Sequence, residues 1–312
     1  MKIVYWGSSA ASADIARSLI DGGCNLILFI TQPDREKGRG RKRLPTPVKN
    51  VAGERSIPVL TPDNPNTEEV IQEISRLEPD LFFLCAYAKM LRKDLLEIPP
   101  RGALNLHFSL LPQLRGAAPI QRAIMNGFKT TGVTTFFMNE SLDKGDIILQ
   151  KETDITAIET AGELEERLVA LGKILAKETI ISIQNGNFTR KQQDTFKKSY
   201  ARKIQKEERA IDWTSPAIEI VRRINGLSPY PGSFTYFKEK RIILLKAMLG
   251  ESSKEKPATI IPGKKITVIA GDYGSVIISL LRPEGKKTMT SKDFINGFRI
   301  KNGDAFHSCP VY

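Results

Sequence analysis

The 312-residue sequence predicts an α/β protein: a Rossmann-like, mostly parallel sheet followed by a small β-barrel domain. Three observations predict it. Apolar strand patterns alternate with helix-length segments over the first ~150 residues, the pattern of βαβ units. The pattern then changes to short strands separated by Gly, Pro and Lys turns. The charge changes with it: residues 1–189 carry 23 Lys/Arg and 23 Asp/Glu, whereas residues 190–312 carry 24 and 12, which accounts for the net +12.

The elements follow in order. Lys2–Trp6 reads as a buried strand ending at Gly7, and Ser12–Leu19 as a helix closed by Gly22 and Gly23. Asn25–Thr31 is a second strand, ended by Pro33. Six of the ten residues Asp34–Arg43 are cationic and two are Gly, which predicts an exposed mobile loop. Thr46–Arg55 reads as a helix, Ile57–Leu60 as a short strand, and Glu68–Leu77 as a helix with Val70, Ile71, Ile74 and Leu77 on one face. Leu81–Cys85, Gly102–Leu106, Thr131–Phe137 and Ile147–Gln150 are further strands. Leu164, Leu168, Leu171 and Leu175 define a helix running to about Gln184. Asn185–Lys206 is polar and basic without apolar periodicity, hence a linker. Beyond Ile211-Asp-Trp213, Ile218–Ile224 is a helix. Phe234–Phe237, Ile242–Met248, Thr259–Ile261, Ile266–Ile269 and Ser275–Leu281 are short strands that suggest a small antiparallel barrel, and by fold analogy one of the oligonucleotide-binding type would suit the positive charge. The expected domains are 1–189, a linker at 190–209, and a basic domain at 210–312.

Several classes are excluded. No run approaches 18 apolar residues, so no membrane span is expected. The first residues read as a buried strand and not as a secretory leader, and three scattered cysteines read as neither a disulfide framework nor a metal site, so the cytoplasm is the expected compartment. The first strand ends in Gly7-Ser-Ser-Ala without GxGxxG, which argues against a nicotinamide dehydrogenase. The basic half and the basic loop fit a polyanionic partner.

There are two histidines. His307, near the end of a loose tail, reads as an ordinary surface residue. His107 follows a strand at the edge where open α/β sheets bind ligands, and Asn105 projects to the same face. Asp143 follows another strand and reaches the same edge. An acid beside an imidazole favours its protonated, donating form. Asn and imidazolium donors can hold an oxyanion, so the trio suits acyl or formyl transfer, with the nucleophile brought by the substrate.

Motifs throughout the chain resemble the methionyl-tRNA formyltransferases. They are Thr31-Gln-Pro-Asp-Arg35, Gly38-Arg-Gly40, Leu44-Pro-Thr-Pro-Val-Lys49, Asn105-Leu-His-Phe-Ser-Leu-Leu-Pro112, Arg115-Gly-Ala-Ala-Pro-Ile-Gln-Arg122, Thr131-Gly-Val-Thr134, Leu142-Asp-Lys-Gly-Asp146, Ile211-Asp-Trp213 and Gly285-Lys-Lys287. The Asn-x-His-x-Ser-Leu-Leu-Pro core is shared with sugar-amine and glycinamide formyltransferases, so it leaves the acceptor open.

The resemblance implies a Rossmann-like domain, a C-terminal oligonucleotide-binding-type barrel and transfer from 10-formyltetrahydrofolate to methionyl initiator tRNA. It implies Asn105, His107 and Asp143 as the catalytic trio, with no metal. Ser109, Leu110, Leu111 and Pro112 would bind the folate, with Ala86, Tyr87, Met90 and Leu91 around its pterin. Arg35, Lys37, Arg39, Arg41, Lys42 and Arg43 would contact the tRNA acceptor stem. A monomer is expected. A sugar-nucleotide amine as acceptor, or water in a formyl-tetrahydrofolate hydrolase, are the alternatives. Three segments depart from the family pattern: Gly7-Ser-Ser-Ala-Ala11 lacks an aromatic residue, Ala86-Tyr-Ala-Lys-Met-Leu-Arg92 has Ala88 where Gly is usual, and Phe108 replaces a small residue.

Overall fold

The computed structural model describes residues 1–37 and 42–308. They separate into two compact units. Unit 1 comprises residues 1–119, 131–153 and 165–201, and unit 2 comprises residues 120–130, 154–164 and 202–312, described here through 308.

The elements of the first sheet region run β1 (Ile3–Gly7), α1 (Ala10–Asp21), β2 (Leu26–Ile30), β3 (Arg35–Lys37), β4 (Lys42–Leu44), α2 (Pro47–Glu54), β5 (Val59–Leu60), α3 (Glu68–Ser75), β6 (Leu81–Cys85), α4 (Lys93–Leu96), β7 (Ala103–His107), α5 (Pro119–Met125), β8 (Thr130–Phe137), β9 (Ile147–Asp154) and α6 (Ala161–Gln184). The described strands order as β5-β2-β1-β6-β7-β8-β9. The pairs joining β5 through β7 are parallel, and β7 pairs antiparallel with β8. The chain therefore moves outward on one side through β2 and β5 and returns to the other side at β6. Ligands bind beyond the carboxyl ends of the strands at such a reversal.

Sequence explains the local choices. The central strands β1, β2 and β6 are continuous apolar runs, the pattern of strands covered on both faces, and β1 and β6 are buried at every residue. Gly7, the last residue of β1, leaves no room for a side chain: a Cβ there would lie 1.7 Å from Ser12 Oγ. Ser9 caps α1 by accepting from the Ser12 amide at 3.1 Å. Trp6 packs against Phe82 and Tyr87, with ring centroids 5.3 and 5.2 Å away.

The basic segment is not simply a loop. Its described flanks, β3 and β4, form an antiparallel hairpin in which Arg35 faces Leu44 and Lys37 faces Lys42. The polar stretch at 190–201, expected to begin a linker, is built into unit 1. Lys191 bridges Ile147, Tyr200 bridges Arg115, and Gln193 is buried.

Unit 2 contains α7 (Ala217–Gly226), β10 (Ser233–Phe237), β11 (Lys240–Gly250), β12 (Ile260–Pro262), β13 (Ile266–Ile269), β14 (Ser275–Pro283), β15 (Met289–Thr290) and α8 (Ser291–Phe298). The sheet is antiparallel, in the order β10-β11-β14-β13-β12, with β15 also on β14. The tail meets both of its edges: His307 bridges Tyr236 of β10, and Ala305 bridges Thr259 beside β12. His307 is thus not in a loose tail; its N–H and C=O pair with Tyr236 at 2.9 and 2.8 Å. Trp213 explains the Ile-Asp-Trp motif, stacking on Phe306 at 5.7 Å and donating to Thr235 Oγ1 at 3.0 Å. Isoleucines of α7 and Phe294 of α8 complete this core.

Candidate active site

A cavity of about 410 Å³ opens at the carboxyl ends of β6 and β7 in unit 1. Asn105, His107 and Asp143 all line it, as do Ala86, Tyr87, Met90, Phe108 and Gly116. The end of β7 thus delivers both Asn105 and His107 to this cavity, with Leu106 between them also on its lining. The antiparallel partners of these two residues on β8 are Phe136 and Thr134.

His107 is only 6% exposed. Its Nε2 lies 2.9 Å from the Leu114 carbonyl oxygen, which can only accept, so Nε2 carries a proton. Nδ1 faces Asp143 Oδ2 at 3.8 Å, a distance at which charges attract but no direct hydrogen bond forms. The ring is therefore oriented by a hydrogen bond to a backbone carbonyl, with no hydrogen bond to the acid. The acid is held separately, with Oδ2 accepting the Gly116 N–H at 2.8 Å. Asp143 has a left-handed backbone, φ 51°, in the turn that ends β8. Gly145 is required in that turn, because a Cβ would sit 1.6 Å from the Phe137 carbonyl oxygen.

Asn105 is half-buried, and no hydrogen bond to protein engages its side-chain amide among the described residues. An amide presented to a cavity without an internal partner is available to a ligand oxygen.

The loop after β6 forms one wall. Ala86 and Ala88 both have left-handed backbones, φ 50° and 61°. The turn usual with Gly thus persists with Ala, at a steric cost. The loop is tied down at several points: Gln32 donates to the Tyr87 carbonyl at 2.9 Å, and Asn66 donates to the Met90 carbonyl at 3.0 Å. These bonds account for the Gln of the Thr31-Gln-Pro-Asp motif. The Tyr87 hydroxyl is buried without a hydrogen-bond partner among the described residues, and desolvation pushes its pKa up to about 12, so it is a neutral group at physiological pH.

The remaining sequence-predicted residues fall elsewhere. Ser109, Leu110, Leu111 and Pro112 do not line this cavity, nor does Leu91. Ser109–Pro112 form the turn leading from His107 to its carbonyl partner. Thr134 Oγ1 donates to the Ser109 carbonyl and accepts from the Leu111 N–H, while Gln150 donates to the Leu111 carbonyl. Phe108 is buried and forms part of the wall. On the hairpin, Arg35 and Arg43 are exposed. Lys37 and Lys42 belong to its strands, and Arg39 and Arg41 lie outside the described residues.

Sequence reasoning missed Gln193. It donates through Nε2 to the carbonyls of Asp143 and Gly145, at 3.0 and 2.8 Å. It also missed the side chain of Arg115, which donates through Nε and Nη2 to Gln193 Oε1 at 3.1 and 2.6 Å. Only the Arg-Gly-Ala motif around Arg115 carried a signal.

A formyl transferase sheet with an amide, an imidazole and an acid at its edge defines the class: residues 1–180 match the formyl transferase family and residues 203–299 match the formyl transferase C-terminal domain. The chain is 39% identical over 309 residues to the methionyl-tRNA formyltransferase of Ruminiclostridium cellulolyticum, covering 97% of this chain and 99% of that protein. It is 40% identical over 306 residues to that of Alkaliphilus oremlandii, with 97% and 99% covered. It therefore belongs to the methionyl-tRNA formyltransferase family. Its fold is also that of an N-formyltransferase from Helicobacter canadensis, solved with folinic acid and dTDP-3-aminofucose: TM-score 0.69, 19% identity, covering 89% of this chain and 98% of that one.

Proposed function

We propose that this chain transfers the formyl group of 10-formyltetrahydrofolate to the α-amino group of methionyl initiator tRNA. The observation that carries the reading is the convergence of Asn105, His107 and Asp143 on one cavity beyond the carboxyl ends of β6 and β7.

The acceptor's neutral amine attacks the formyl carbon. A carbon–nitrogen bond forms and the carbonyl electron pair moves onto oxygen. The free amide of Asn105 is the donor available to that oxyanion, and protonated His107 adds a second through Nδ1, since Nε2 is committed to Leu114. One such donor is worth about 2.7–4 kcal/mol in the transition state. Asp143, at 3.8 Å, stabilises the imidazolium charge. Collapse breaks the bond from carbon to N10, and the proton lost by the amine ends on N10, giving formylmethionyl-tRNA and tetrahydrofolate. Holding the two substrates together replaces a bimolecular encounter and removes roughly 7 kcal/mol or more of barrier in favourable cases.

The folate would enter against the loop Ala86–Met90, which forms one wall of the cavity. Ser109–Pro112 act on the folate indirectly, by shaping the turn between His107 and Leu114. The tRNA would be held electrostatically by Arg35, Lys37, Arg39, Arg41, Lys42 and Arg43 together with the basic residues of 190–312. The enzyme would act as a monomer in the cytoplasm.

The test is formyl transfer to three acceptors under equal donor: methionyl initiator tRNA, a nucleotide-linked amino sugar, and water. Turnover with the tRNA alone supports the proposal. Turnover with the sugar, or release of formate without an acceptor, overturns it.

A further inference from the structure

Three consecutive residues hold both members of the His107–Asp143 pair, each through a different group. The Leu114 carbonyl accepts from His107, and the Gly116 N–H donates to the Asp143 carboxylate. Arg115, between them, acts through its side chain. Its guanidinium donates twice to Gln193 Oε1, and the opposite end of that amide donates to the carbonyls of Asp143 and Gly145. Only one orientation of the Gln193 amide satisfies both sides, because a guanidinium can only donate and carbonyls can only accept.

Arg115 is 2% exposed and Gln193 6%. No ion pair engages Arg115 among the described residues, so its burial is not explained by charge neutralisation. Its backbone is fixed as well: its N–H donates to the Ser199 carbonyl at 2.9 Å, and its carbonyl accepts from Ala201 at 2.7 Å. The polar stretch 191–201 is thus the frame on which the couple is mounted. The Asp143 backbone, left-handed at φ 51°, is a conformation that surrounding contacts must impose.

We infer that the buried Arg115–Gln193 couple is a positioning device: it sets the backbone of Asp143 so that the acid stands at its working distance from His107 without bonding to it. This rests on the reading of His107 and Asp143 as the reacting pair. A direct bond would fix the pair but tie up Nδ1, the nitrogen left for the substrate. A scaffold reaching both residues from behind keeps Nδ1 free.

The experiment compares Gln193→Leu, Gln193→Glu, Arg115→Lys and Arg115→Met in the full chain. Gln193→Leu keeps bulk and removes every bond, and should lower kcat by roughly 100-fold, the effect of small misplacement. KM for donor and acceptor should stay within about twofold, since ground-state binding is untouched. Gln193→Glu turns an oxygen on the two carbonyls and should lose comparable kcat. Arg115→Lys retains one donor to Gln193 and should keep more activity than Arg115→Met. Should Gln193→Leu not fold, the Arg115 pair and Gln193→Glu decide alone. His107→Ala runs alongside. An active His107→Ala enzyme defeats the reading of the pair itself. An inactive one beside a folded Gln193 variant of normal kcat defeats only the positioning role, as does a loss shared equally between kcat and both KM values.

Discussion

Unit 1 and the segment 210–308 differ in whether they bury charged side chains. In unit 1, Arg115, His107 and Asp143 are all under a tenth exposed, and their partners are backbone atoms or a buried amide. In the described part of 210–308, every buried polar side chain is neutral: Asn225, Ser228, Ser233, Thr235, Ser275 and Ser291. Asn225 shows the style, bonding Ala247 through both ends of its amide at 2.9 Å. The charge excess of residues 190–312 therefore does not arise from the unit 2 core. A buried charge has its position dictated and can do chemistry, whereas surface charge acts through its summed field on a distant polyanion. Under the proposed function, one region would supply geometry and the other attraction.

Substitutions should separate the two. The largest effect belongs to His107→Ala, which should lower single-turnover transfer roughly 100- to 1000-fold. Binding of methionyl-tRNA, followed by filter retention, should persist. Asn105→Ala should lose a comparable factor, and the double variant much less than the product of the two, because groups acting as a unit are not additive.

Next comes Gly145→Ala. Its Cβ would lie 1.6 Å from the Phe137 carbonyl oxygen, so the turn carrying Asp143 must move. Thermal unfolding should show a loss of about 1–3 kcal/mol or more, as for other overpacked sites. An unchanged midpoint would refute the tight turn.

Salt sharpens the contrast. Raising ionic strength should raise KM for the tRNA steeply while leaving KM for the folate nearly flat. Parallel changes in both would mean that the basic residues do not serve the acceptor. Arg39→Ala should likewise affect tRNA use more than folate use.

Acid probes unit 2. Arg122 donates to Glu208 through Nη1 at 2.6 Å and Nη2 at 2.9 Å, and this pairing holds the Glu208 carboxyl below its ordinary range. A lowered carboxyl stabilises the fold above its unfolded-state pKa, and that contribution fades as pH falls through the folded value. Unfolding midpoints should drop on acidification by less in Glu208→Gln than in the parent chain. The smallest effect is a gain: Ala88→Gly removes a left-handed Cβ and should stabilise unit 1 by up to about 1 kcal/mol.

Much of this was legible in the sequence, for identifiable reasons. Asn105 and His107 are two apart at the end of an apolar strand, so alternation alone put them on one face. The parallel sheet showed in unbroken apolar runs such as Leu81–Cys85. Short elements escaped: α4 and α5 have four and seven residues, too few for a periodic signal. Gln193 was hidden because it lies 50 residues from Asp143 in a stretch whose polarity matches that of a linker. The Leu114 carbonyl was hidden because backbone atoms leave no mark in a residue pattern. Closure of the unit 2 sheet by the tail depends on pairings at Thr259 and Tyr236 that no local periodicity encodes.

The central claim is that an imidazole anchored through Nε2, with a free amide beside it and an acid at 3.8 Å, lowers the barrier to formyl transfer. Its most direct test is the single-turnover rate of His107→Ala with donor and methionyl-tRNA both saturating. The account predicts a fall of roughly 100-fold or more with both substrates still bound. A rate equal to that of the parent chain would contradict it.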